Sequence, residues 1–144
     1  MAASFAERLR QPLTGVLTWD ALTALWQRVA ALDGWYLYTV GEDPPAAPAS
    51  PDGVAAFLRT LDARLRAEHD RDECGIVYAD DLAAPSLIKV YDPKRLGAVC
   101  GPSRGPVPPG WILSRVPPER IDLPQPPRTR FRFFRGLGRS AADS

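Results

Sequence analysis

Apolar side chains recur at helical spacing in two stretches of the chain. Leu22, Leu25, Trp26 and Val29 form one stripe, and Val54, Phe57, Leu58, Leu61 and Leu65 form a longer one. The first predicts a helix over residues 19–33. Thr18 stands in position to cap it, Asp20 puts a negative charge in the first turn, where the helix dipole favours one, and Gly34 supplies a stop. The second stripe predicts a helix over 52–68, with Ser50 as cap and Pro51 in the first helical position. Arg59, Asp62, Arg64 and Arg66 lie largely off it, leaving one face for burial. Residues 1–13 hold either a short helix around 5–9 or a loose segment.

Elsewhere the pattern is that of strands. WYLYTV at 35–40 is aromatic and β-branched. IVYAD at 76–80 and LIKVY at 87–91 flank the turn-forming DLAAPS and predict a hairpin. If the turn centres between Ala83 and Ala84, Val77 opposes Val90, Tyr78 opposes Lys89 and Ala79 opposes Ile88. Val77, Ala79, Ile88 and Val90 then share a wholly apolar face that should pack on the helices. Ile76, Tyr78, Lys89 and Tyr91 share the other face, which is amphipathic. A slip of one residue exchanges the two faces. WILSRV at 111–116 predicts another strand, which Pro117 ends, and RFRFF at 130–134 offers a last edge strand.

The order of elements predicts an α+β fold. We expect a small antiparallel or mixed sheet of about four strands, two amphipathic helices packed on one face, and a Pro-rich C-terminal extension. The regular strand–helix alternation of a doubly wound fold is missing. The 144 residues suffice for one domain with a core of its own. We read 1–123 as that α+β domain and 124–144 as a basic, aromatic tail, either an edge strand or a mobile end.

Charge changes this picture only locally. Net charge is +1, which argues for neither a nucleic acid nor an acidic partner. Residues 124–144, however, carry five arginines and one acid, so the chain is basic at its end and slightly acidic before it. Prolines number 16, and arginine greatly outnumbers Lys89 and Lys94, a bias that suggests a bacterium with a GC-rich genome. No apolar run is long enough for a membrane span, and Glu7 with no following apolar stretch argues against a secretory signal. A cytoplasmic location and reduced thiols at Cys74 and Cys100 are the corresponding expectations.

Candidate chemistry gathers in the last third. The loop LGAVCGPSRGPVPPG lets glycine backbone approach an anion beside Arg104, but it lacks the Lys and the following helix of a phosphate loop, and its prolines remove donors. Turn-rich connection is the simpler reading. Cys100 as a nucleophile would need His69 as its base, and a metal site would need His69, Cys74, Cys100 and an acid such as Asp72 without any ligand-type spacing. Asp80, Asp81 and Asp92 fit turn chemistry better than paired carboxylates. No catalytic residue, metal or cofactor is therefore expected.

Binding is better provisioned. In RTRFRFFRGLGR the residues Arg130, Arg132 and Arg135 alternate with Phe131, Phe133 and Phe134, a pattern suited to a partner protein, to stacking on nucleic-acid bases, or to completing the fold itself. Tyr78, Lys89 and Tyr91 form a second candidate surface, unless the Pro-rich segment 117–127 covers it. The expectation is a non-enzymatic accessory or assembly factor that holds another protein through the loop bearing Cys100, Arg104 and Trp111 and through the Arg/Phe tail. The alternatives are a small-ligand or anion-binding protein, or a thiol-dependent enzyme, centred on Cys100 and Arg104. Nucleic-acid binding through the tail ranks below these, and a homodimer is a further expectation.

Overall fold

The computed structural model describes residues 4–94 and 108–121. Three helices lie wholly within the described residues, α1 (Phe5–Arg10), α2 (Trp19–Ala30) and α3 (Pro51–Glu68). Each begins at a side-chain cap. The Thr18 hydroxyl accepts from Ala21 N at 3.0 Å, and the Ser50 hydroxyl accepts from Gly53 N at 3.1 Å. Ser4 and Glu7 form a reciprocal capping box on α1. Helix α2 stops at Ala30, short of the predicted end, because Ala31 N is shared between the carbonyls of Gln27 and Arg28 and the last turn tightens. Gly34, at φ +81, then turns the chain into the sheet.

Five strands form one antiparallel sheet: β1 (Thr14–Val16), β2 (Tyr36–Thr39), β3 (Val77–Ala79), β4 (Leu87–Val90) and β5 (Trp111–Ser114). Their spatial order is β1-β3-β4-β5-β2. The α+β class expected from the sequence is the one found, with an additional edge strand, β1. That strand has three residues, one of them glycine, and shows no alternation to read. Helix α2 carries the chain from one edge of the sheet to the other, and α3 carries it back. β3, β4 and β5 then fill the centre. The hairpin register is the expected one, with Val77 opposite Val90, Tyr78 opposite Lys89 and Ala79 opposite Ile88. The segments 124–144 and 130–134, for which a tail and an edge strand were expected, lie outside the described residues.

The register sorts the side chains. Val77, Ala79, Ile88, Val90 and Leu113 lie on the helix side with the buried stripes of α2 and α3. Trp35 is fully buried there and donates its indole N–H to Val29 O at 2.9 Å, so its one polar atom is satisfied. The opposite face holds a second cluster of Phe5, Tyr38, Val40, Leu87 and Ile112, flanked by Leu9, Leu13, Val116 and Ile121. Phe5 meets Tyr38 edge-on at 6.5 Å. The Tyr38 hydroxyl accepts from Ile121 N at 2.9 Å. Helix α1 and the chain around 116–121 therefore cover this face on the β2 side.

The hairpin turn is organised by one carboxylate. Asp80 Oδ1 accepts from Asp81 N at 2.9 Å, Ser86 N at 2.9 Å and Leu87 N at 3.1 Å. Its Oδ2 accepts from the Ser86 hydroxyl, and Arg8 Nη1 of α1 stands 3.8 Å away. Asp81 Oδ1 accepts from Ala83 N and Ala84 N further out in the turn. The turn chemistry expected of these two aspartates is present. Replacing Asp80 by alanine strands several half-buried donors and should cost about 2–4 kcal/mol in urea unfolding. Asp81→Ala, in the exposed part of the turn, should cost about 1 kcal/mol or less by the same measurement.

Candidate functional site

Half of the second sheet face lacks the cover that α1 gives the rest. Across that face Gly15, Tyr78, Lys89, Ile112 and Tyr38 are neighbours in register. Ile112 and Tyr38 are buried in the cluster around Phe5, whereas Tyr78 and Lys89 are only half-buried. The next level begins with Ile76, whose carbonyl accepts from Tyr91 N at 2.9 Å. Helix α1 ends before Gln11, and the chain reaches β1 through Leu13. The result is an open groove of about 430 Å³ lined by Gln11, Leu13, Gly75, Ile76, Tyr78, Lys89 and Tyr91.

Its geometry follows from local features. The Tyr78 ring lies against Gly15, where a Cβ would approach ring carbon Cε2 to 3.1 Å. Tyr78 and Tyr91 stand edge to face, with centroids 5.8 Å apart and planes at 89°. The Lys89 ammonium is 5.9 Å from the centre of the Tyr91 ring. Tyr78 OH points to Gly75 O at 3.4 Å, a weak contact at the outer limit of hydrogen bonding. No ion pair among the described residues involves Lys89.

Of the residues singled out from the sequence, the structure brings Tyr78, Lys89 and Tyr91 together. Trp111 does not join them. It pairs with Val90, so its side chain falls on the helix face, where it is almost buried and Arg64 lies over its ring at 4.9 Å. Cys100, Arg104, Arg130, Phe131, Arg132, Phe133, Phe134 and Arg135 lie outside the described residues. The sequence reading had placed Ile76 on the same face, but it gave no signal for Gln11 and Leu13. They come from the link between α1 and β1 and reach the groove only through tertiary packing. The segment 117–127, expected as a cover, is described as far as Ile121, and that part packs on the β2 side of the face.

Both ends of the Gly/Pro loop are held. Arg64 Nε meets Glu68 Oε1 at 3.1 Å and its Nη2 meets Asp92 Oδ2 at 3.3 Å. Lys94 Nζ meets Glu68 Oε2 at 3.5 Å. At the far end Gly110 N donates to Val90 O at 2.8 Å, and a Cβ on Gly110 would crowd Asp92 at 3.1 Å. Loss of hydration alone would raise the Glu68 carboxyl, but the Arg64 hydrogen bond and the charges of Arg64 and Lys94 outweigh it, and its pKa falls below the ordinary value.

Two other reactive groups among the described residues have structural surroundings of their own. Cys74 is buried, and burial pushes its thiol pKa up, away from nucleophilic use. The His69 ring stands edge-on to Trp19 at 6.1 Å, beside the end of α3. Among the described residues no group of three or more His, Cys, Asp and Glu is placed to hold a metal ion, and no helix is long and apolar enough to cross a membrane. Comparison with models of known families finds no match, and comparisons with curated proteins and with solved structures find none either.

The Glu68 pairs give a pH signature. A carboxyl whose folded pKa lies below its unfolded one stabilises the fold above the unfolded value, and the contribution disappears as pH falls through the folded value. A side-chain NMR titration should find the Glu68 midpoint below that of an unpaired glutamate. Arg64→Met should move the midpoint up, and an unchanged midpoint would remove Arg64 as the cause.

Proposed function

We propose that this chain is a non-enzymatic binding protein of the bacterial cytoplasm, an accessory or assembly factor that holds another protein. The observation that carries the reading is the groove of Tyr78, Lys89 and Tyr91, a patch of two aromatic rings and one cation that the described residues leave uncovered beside a well-packed cluster. Aromatic residues are favoured at binding surfaces because they bury much area at little conformational cost. The chain also enters its Gly/Pro loop a few residues after Tyr91 and its Arg/Phe tail after Ile121, which sits on the same sheet face. Among the described residues, Asp80 is engaged in its turn and Cys74 is buried in the core, so neither invites a catalytic reading.

A second reading uses the same groove for a small ligand. It is favoured by Lys89, whose ammonium opens into the groove with no carboxylate partner among the described residues.

The test is an affinity capture from native lysate with four full-length baits: the unaltered chain, Lys89→Glu, Tyr91→Ala, and the triple change Phe131→Ala, Phe133→Ala and Phe134→Ala. A stoichiometric protein retained by the unaltered chain and lost from either groove variant is the expected result. Equal retention by all four baits would move the contact away from both groove and tail. Retention of nucleic acid that falls steeply with salt, lost only from the tail variant, would replace the protein reading with the nucleic-acid one. Light scattering of the same preparations reports whether a second copy is the partner.

A further inference from the structure

We infer that the groove between Tyr78 and Tyr91 is a binding site for a small aromatic molecule bearing a single carboxylate, with the Lys89 ammonium as its counter-ion. The inference rests on the small-ligand reading of the groove and names the chemistry that reading leaves open.

The first argument is charge. Three cations among the described residues are half-buried: Arg8, Arg64 and Lys89. Arg8 has Asp80 as its carboxylate partner at 3.8 Å, and Arg64 has Asp92 at 3.3 Å. Lys89 has none among the described residues. An ammonium partly withdrawn from water, with low-dielectric side chains around it, attracts an anion more strongly than one standing free in solvent. Among the described residues no ion pair uses this charge, so there a carboxylate brought by a ligand would meet no competitor.

The second argument is shape and surface. A volume of about 430 Å³ lies within the range of small-molecule sites and holds one ring with a short side chain. Leu13 and Ile76 supply apolar contact. The two tyrosines already stand edge to face, and a third ring can extend that arrangement against either of them. The Tyr78 hydroxyl holds Gly75 O only at 3.4 Å and can turn to a better acceptor, and Gln11 adds an amide that donates or accepts.

The third argument sets the ligand's charge at one. The hollow that adjoins the groove at Gly75 is lined by Arg71, Asp72 and Glu73, two acids against one base. Among the described residues of that hollow, a second negative charge on the ligand would meet two carboxylates against the single cation Arg71. A dicarboxylate or a phosphate monoester is therefore disfavoured relative to a monocarboxylate.

The experiment uses the full-length chain and three probes: 3-phenylpropionate, its neutral amide 3-phenylpropionamide, and phenylsuccinate. Binding is followed by backbone amide NMR shifts, which also report that each variant is folded. The expected result is saturable shifts confined to the groove, around Gln11–Leu13, Gly75–Tyr78 and Lys89–Tyr91. The monocarboxylate should bind about tenfold more tightly than the amide at low salt, as a charge-assisted contact implies. Phenylsuccinate should bind more weakly than phenylpropionate. Lys89→Met should erase the difference between acid and amide, Lys89→Arg should keep it, and Tyr91→Ala should weaken both probes alike. Equal affinity for acid and amide in the unaltered chain overturns the inference, as do shifts elsewhere or no binding because another segment of the chain fills the groove. If the probes fail while Lys89→Glu still releases a captured protein, this inference falls and the protein-binding reading stands.

Discussion

The carboxylate of Asp80 holds the turn from which the rest of the sheet takes its order. By accepting from Ser86 N and Leu87 N it fixes where β4 begins relative to β3. Side chains alternate along a strand, so this one setting decides which residues meet the helices and which meet α1 or open space. A slip of one residue would turn Tyr78 and Lys89 into the core beneath α2 and α3 and bring Val77 and Val90 out. The same carboxylate reaches α1 through Arg8 and Ser86, so the element that covers the second face is tied to the turn that defines it. Fold and groove share a single origin.

Much of this was legible in the residues. The stripes of α2 and α3 are long, capped by Thr18 and Ser50, and free of competing signals. The hairpin register followed from a turn whose two sides match in length, and it predicted which four residues face the helices. What could not be read depends on contacts between distant parts of the chain. Strand β1 is three residues long and contains Gly15, so it has no pattern of its own and exists because β3 offers it a partner. Trp111 was expected to begin a strand and to join the loop of Cys100 in binding; it does begin β5, but the pairing of β5 with β4 puts it opposite Val90 and under Arg64. No local signal specifies that pairing, because the long connection between the two strands leaves register free. Gln11 and Leu13 reach the groove only because α1 docks on the Phe5–Tyr38 cluster.

The two faces of the sheet solve different problems. The helix face is apolar on its central strands, with Thr14 and Thr39 only on the two edge strands, and its Trp35 finds an internal acceptor. The other face is covered in part by a six-residue helix and in part by the strip leading to Ile121. A short helix buries little area, which is why the cover given by the described residues ends midway across the sheet and leaves Tyr78, Lys89 and Tyr91 at its border. The salt links of Arg64, Glu68, Asp92 and Lys94 lie on α3 and on the chain that leaves β4. They brace one end of the Gly/Pro loop from the helix side, while the aromatic groove opens on the opposite side of the same strand.

Gly15 gives the groove an unusual kind of adjustability. It is not among the lining residues, yet the Tyr78 ring rests in the space its missing side chain leaves, and a methyl there would force that ring to give by a few tenths of an ångström. The aperture is thus gauged from an edge strand rather than from the residues a guest would touch. A lineage of such chains could retune what fits between the two tyrosines by changes at that edge, while every contacting side chain stays the same.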